Sequence, residues 1–257
     1  MAHDAYLAVV IRTSALTGPP GSTILTGLGS AVPRIPGRLA FLLPPAFSVF
    51  LHSQGTMVGE GWTLATDLGW RSRLYALGSG FFKDRLEPNV SLIQDHGTLF
   101  VTRNRLLLQD LALRRAGRNS GAPAPGVSVA LNNPPDTLIT VDLSNANREL
   151  IPWVERFQAG ARFLLFPSIA EVESLHAVVQ WKEGSPMHGA MTILAKHTRA
   201  TEQVRADVEY LMDLLDRVMS TGDVGMEKTV QATPGRIEAA VTLHHPERLA
   251  RIPWGKR

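Results

Sequence analysis

The side chains that could do chemistry in this chain are eight histidines, a Gly/Pro/Ser/Thr loop near its start and scattered carboxylates. Spacing decides what each can do. The segment ESLHAVVQWKEGSPMHGAMTILAKH reads as a hairpin turning at Gly184. A loop at Glu183–Ser185 sets His188 opposite Gln180, so His176 falls four positions away on the same face, roughly 13 Å at about 3.3 Å per residue. Metal ligands sit about 2 Å from their ion, which excludes a site shared by this pair. His244 and His245 are adjacent and point to opposite faces if their strand continues. No H-E-x-x-H or H-x-H spacing occurs, so the histidines read as structural or solvated and no metal is expected. The loop TGPPGST (Thr17–Thr23) has the texture of a phosphate loop, but a P-loop needs Gly-Lys-Ser/Thr and no lysine precedes Lys83. A Pro-Gly turn capped by Ser22 accounts for it. The nucleophile elbow G-x-S-x-G is absent, which leaves Asp67, His96 and His176 as the polar groups for any small-ligand or hydrolytic site.

Two clusters suit contact better than catalysis. In TDLGWRSR (Thr66–Arg73), Asp67 can cap a following helix while Trp70, Arg71 and Arg73 mark an exposed surface. The tail RIPWGKR carries Arg251 and strands Trp254 beyond the last expected helix. Trp and Arg are the residues that most often carry interface energy. These five are the candidate interaction residues.

The net charge of +3, with a pI near 9.5, is too small to hold a polyanion unless the cations cluster. The existing clusters are Arg103, Arg105, Arg114, Arg115 and Arg118, and then Arg248, Arg251, Lys256 and Arg257. The first is interrupted by leucines and the second lies at a tail, so no nucleic acid is expected. Cysteine is absent, which excludes disulfides, zinc thiolates, iron–sulfur clusters and a thiol nucleophile. No run of about 18 apolar residues occurs, so no transmembrane segment is expected; peripheral membrane association remains compatible. The opening MAHDAYLAVVIRTS lacks the regions of a signal peptide. Read literally, the chain is expected in the cytoplasm; removal of a leader or anchor would place it in the periplasm or envelope.

The 257 residues, 44% hydrophobic and 19% charged, can bury one large core or two modest ones. The Gly/Pro-rich stretch RAGRNSGAPAPG nearly bisects them, and both sides read in the same order: strand, helix, hairpin, helix, hairpin, helix. In the second half these are DTLITVDLS, a helical segment around Pro152, the hairpin at Gly184, the helix TRATEQVRADVEYLMDLLDRVMS, a hairpin at Pro234-Gly235 and the short helix PERLARI. Thr201 is the expected cap of the long helix, and Val204, Val208, Leu211, Leu215 and Val218 form its apolar stripe. In the first half, YLAVVIRTS, a Gly/Pro-broken helical segment, RLAFLLPPAFSVFLHSQ with GWTLATDLG, WRSRLYALGSGFF, a hairpin at His96-Gly97 and NRLLLQDLALRR follow the same plan. Arg114 and Arg115 then sit in a last helical turn, where cations match the helix dipole, so that basic face is solvated.

The segments DHGTLFVTRNRLLLQDLALRR and LNNPPDTLITVDLS carry a resemblance. Gly97, Leu99, Val101, Asn104 and Leu108, followed by Pro135, Asp136, Leu138, Val141, Asp142 and Leu143, match a pattern in a class of uncharacterised bacterial extracytoplasmic proteins. The resemblance implies a duplicated strand–helix–hairpin layout, usually behind an N-terminal anchor, with no known activity and no catalytic residues.

The expected fold is α+β: two similar halves, each a mostly antiparallel sheet with helices packed on one face. The halves span residues 1–116 and 135–257, joined by a linker at 117–134. The expected function is that of a non-enzymatic interaction or scaffold protein, such as an envelope protein or an accessory subunit of a larger assembly. Its partner is a protein, and no cofactor is involved. The alternative is a small-ligand binder or hydrolase using the groove between the halves.

Overall fold

The computed structural model describes residues 5–12, 46–52, 62–68, 90–95, 97–102, 137–144, 166–182 and 184–252. These fall into two compact units.

The first unit contains β1 (Ala5–Arg12), β2 (Ala46–His52), β3 (Trp62–Asp67), β4 (Ser91–Asp95) and β5 (Thr98–Thr102). They pair antiparallel in the order β4-β5-β3-β2-β1. Strand alternation puts Ser48, Ala65 and Phe100 in one cross-strand row, and all three are buried. The neighbouring pair Thr63 and Thr102 is also buried, with their hydroxyl oxygens 2.7 Å apart. A polar group without water needs such a partner.

The second unit contains β6 (Thr137–Ser144), β7 (Val172–Gln180), β8 (Met187–Ala195), α1 (Thr201–Ser220), β9 (Gly225–Thr233) and β10 (Arg236–His244). Short 3-10 turns lie at Pro167–Glu171, Thr198–Ala200 and Pro246–Arg251. The strands pair antiparallel in the order β6-β7-β8-β10-β9. Counted within its own unit, each set of five therefore runs first, second, third, fifth, fourth. The final hairpin of each returns inward, so its later strand lies beside the third.

One face of β7, β8, β10 and β9 is apolar, because period-two alternation collects Leu175, Met191, Ile193, Ile237, Ala239, Val230 and Ala232 on one side. Helix α1 covers that face, with Val204 and Val208 wholly buried against Ile193 and Ile237. Asp207 holds the helix at a second point: its Oδ2 accepts the Ser168 backbone N–H at 2.7 Å. Thr201 does not cap α1 as the sequence predicts. The cap position is Ala200, and Thr201 is the first helical residue. Its hydroxyl donates to the Thr198 carbonyl (2.7 Å) and accepts the Gly235 N–H (2.9 Å). The hydroxyl thus pins the β9–β10 turn to the helix start. Gly235 occupies that turn at φ 79°, a conformation open to glycine without strain.

The expected α+β fold with helices packed on both halves is corrected. The described residues form ten antiparallel strands and one α-helix, a mostly-β protein. Segments of alternating polarity supply nearly all of this structure, and one stretch of helical periodicity supplies α1. The helical segments expected around residues 15–32, 70–82, 104–115 and 145–160, the linker at 117–134 and the basic face Arg103–Arg118 lie outside the described residues.

A candidate interaction surface on the second unit

Strand β9 ends the strand order of its unit, with β10 on one side and no described strand on the other. Its orientation follows from one bond. The Ala195 N–H donates to the Gly235 carbonyl at 2.9 Å, so odd-numbered residues of β10 bond towards β8. Even-numbered residues of β10 then bond towards β9, where their partners are Gly225, Glu227, Thr229, Gln231 and Thr233. The N–H and C=O groups of Met226, Lys228, Val230 and Ala232 therefore point away from the sheet. The β9–β10 register is unbroken over nine pairs, and β9 contains no proline. Bulges and prolines are devices that blunt an edge strand.

A lysine in the middle of an edge strand is another such device, and Lys228 is held away from it. Its Nζ donates to Asp213 Oδ1 at 2.7 Å and to Asp216 Oδ2 at 3.0 Å, both on α1. These bonds hold the Asp213 carboxyl below its ordinary range, chiefly through the hydrogen bond and then through the ammonium charge. The Lys228 ammonium is raised for the same reason. Further up the same helix flank, Arg205 bonds Glu202 (2.9 Å) and Glu209, which raises its own pKa. On the opposite face of β9, Glu227 Oε1 lies 3.1 Å from His244 Nε2, near enough to pair with a protonated ring but not aligned as a hydrogen bond.

Lys228→Met is expected to bring the Asp213 carboxyl back up towards its ordinary range, as followed by NMR titration of the side-chain carbon. The sign for stability follows. A carboxyl with a lowered folded pKa contributes at pH values above its unfolded pKa, and that contribution is lost as pH falls through the folded value. The variant therefore loses stability near neutrality and not in strong acid. Unchanged titration of Asp213 would show that Lys228 does not govern it.

At the start of β9 the chain forms a tight corner. Asp223 and His245 both adopt left-handed backbone, at φ 57° and 56°. Asp and His tolerate this region better than bulky residues do. Arg248 donates to the Asp223 carbonyl at 3.2 Å, and the Arg251 guanidinium lies 3.9 Å from the Asp223 carboxylate. Leu249 and Ile252 are buried beneath, so the exposed Arg251 stands on an anchored 3-10 turn. Glu247 is held below its usual range by its own backbone N–H, with His245 adding to the effect. The strand ends at His244, so His245 does not continue the alternation assumed from the sequence.

Of the residues singled out from sequence, Arg251 sits at this corner. Trp70, Arg71, Arg73, Trp254 and His96 lie outside the described residues. Asp67 is the last residue of β3 in the first unit. His176 lies in β7 on the face away from α1, opposite Thr192. His188 pairs with Gln180 as the loop length predicts, and its Nδ1 is 3.2 Å from the Thr242 hydroxyl. Among the described residues no group of three potential ligands could hold a metal, and no helix is long and apolar enough to cross a membrane. The β9 edge was not singled out from sequence, because a strand's place in the sheet order depends on tertiary pairing. Comparisons with protein-family models, curated proteins and solved structures each yield no match.

Proposed function

We propose that this protein is a non-enzymatic interaction module, in the manner of an accessory subunit, with the β9 edge and the Arg251 corner as its contact surface. The carrying observation is the nine-residue, regular edge with four residues' backbone groups directed outwards. An extended partner segment adds to such an edge by main-chain hydrogen bonding, and side-chain contacts supply selectivity. Arg251, fixed at one end of the strand, is placed to contact the same partner.

The test is native affinity purification from the source cells, with soluble and membrane fractions kept apart. Val230→Pro and, separately, Met226→Pro each delete one outward N–H while sparing the β10 ladder. A stoichiometric partner retained by the parent protein but lost from both proline variants, with the far-ultraviolet circular dichroism of the fold retained, is the expected result. A partner retained by both proline variants would overturn the edge as the contact.

A further inference from the structure

The partner's chemistry can be read from the charges beside β9; this rests on the reading of β9 as the contact edge. Glu202, Glu209, Asp213 and Asp216 lie along the flank of α1 that borders the strand, and Glu227 projects from its other face. All five are substantially exposed. The cations among them are Arg205 and Lys228, each shared between two carboxylates, with Arg217 adding a weaker field at Asp213. Carboxylates are therefore in excess along the length of the strand, and the cations Arg248 and Arg251 are confined to the corner before its first residue. A second copy of the chain would set one acidic flank against another, which disfavours self-pairing.

We infer that the β9 edge takes a basic segment in extended conformation, whose main chain bonds Met226, Lys228, Val230 and Ala232 and whose cations, at alternate positions, face the α1 flank. Alternate side chains of an added strand point to one face of the sheet. A lysine or arginine at every second position thus meets Glu209, Asp213 and Asp216 in succession. The two shared cations each leave one carboxylate partly uncompensated, and that residual charge selects a cationic partner over an acidic one.

The probe is a nine-residue peptide alternating lysine and threonine with both ends blocked, set against its glutamate–threonine counterpart and titrated into the full chain by fluorescence anisotropy. The lysine peptide is expected to bind at least roughly tenfold more tightly, with affinity falling as salt shortens the screening length from about 10 Å at 0.1 M. Val230→Pro should abolish binding. Glu209→Lys, at an exposed position outside the Lys228 bridge, should weaken it without altering the fold, and this holds the test open should the proline variant fail to fold. Equal binding of both peptides overturns the basic preference but leaves the edge as a contact. Binding of neither, with partner capture still dependent on Val230, does the same. Lysine-peptide binding untouched by Val230→Pro reveals charge attraction without strand addition and overturns the inference. Concentration-dependent self-association lost in Val230→Pro would assign the edge to a second copy, also overturning it.

Discussion

Ile237→Ala is expected to destabilise the second unit by about 2–5 kcal/mol, the range for truncating a wholly buried isoleucine. Ile237 is 0% exposed and pairs directly across the β8–β10 ladder with Ile193, itself 1% exposed. Both pack beneath Val204 and Val208 of α1, so the void would open between sheet and helix. Backbone pairing on both sides of β10 restrains the collapse that would fill it. The measurement is the urea midpoint at unchanged slope. Leu194→Ala is the control: Leu194 adjoins Ile193 in sequence but faces the other way at 39% exposure, and its truncation should change stability by no more than about 0.5 kcal/mol. A loss below about 1 kcal/mol for Ile237→Ala would place the main core elsewhere.

Gly222→Val should cost about 1–3 kcal/mol by overpacking and should loosen the Arg251 corner. A Cβ at Gly222 would come within 2.6 Å of Ile252 Cγ1 and 3.3 Å of both the Arg248 carbonyl oxygen and the Ile252 nitrogen. The side chain could turn aside, but the two backbone atoms belong to the 3-10 turn and to Ile252, the residue that closes it. Relief therefore requires that turn to lift. Ile252→Ala, introduced together with Gly222→Val, should recover part of the loss, giving a non-additive cycle. Strict additivity would mean that the two positions do not touch. Arg251 rides on the same turn, so Gly222→Val should also reduce partner retention even though Gly222 touches no partner.

Much of this unit was legible because its signals are local. The hairpin turns at Gly184 and Pro234-Gly235 each joined two alternating runs, and the stripe of α1 repeated at helical spacing. Local chemistry misled at Thr201, where a hydroxyl suited to capping is used instead to tie the β9–β10 turn to the helix. Fold class is not legible in the same way, because periodicity weighs each segment separately, whereas class depends on how many of them pair side by side. Arg251 stands out by residue type, but its position depends on the burial of Leu249 and Ile252, the latter against Gly222, a tertiary fact. The edge was the least legible feature of all. In GMEKTVQAT only the fold reveals that Lys228 bends back onto Asp213 and Asp216, leaving the strand without the guard its sequence suggests.

The two-residue turn at Pro234-Gly235 has a thermodynamic consequence. With β10 held by β8, a slip of one residue between β9 and β10 would send Val230 and Ala232 to the opposite face, so the register of the hairpin is fixed by the burial of these side chains under α1. The same four outward amides are therefore presented before any partner arrives, and the ordering entropy of association falls almost entirely on the incoming segment. Affinity at this edge should then be governed by how extended that segment already is when free. A stiff ligand gains where a flexible one of identical composition does not.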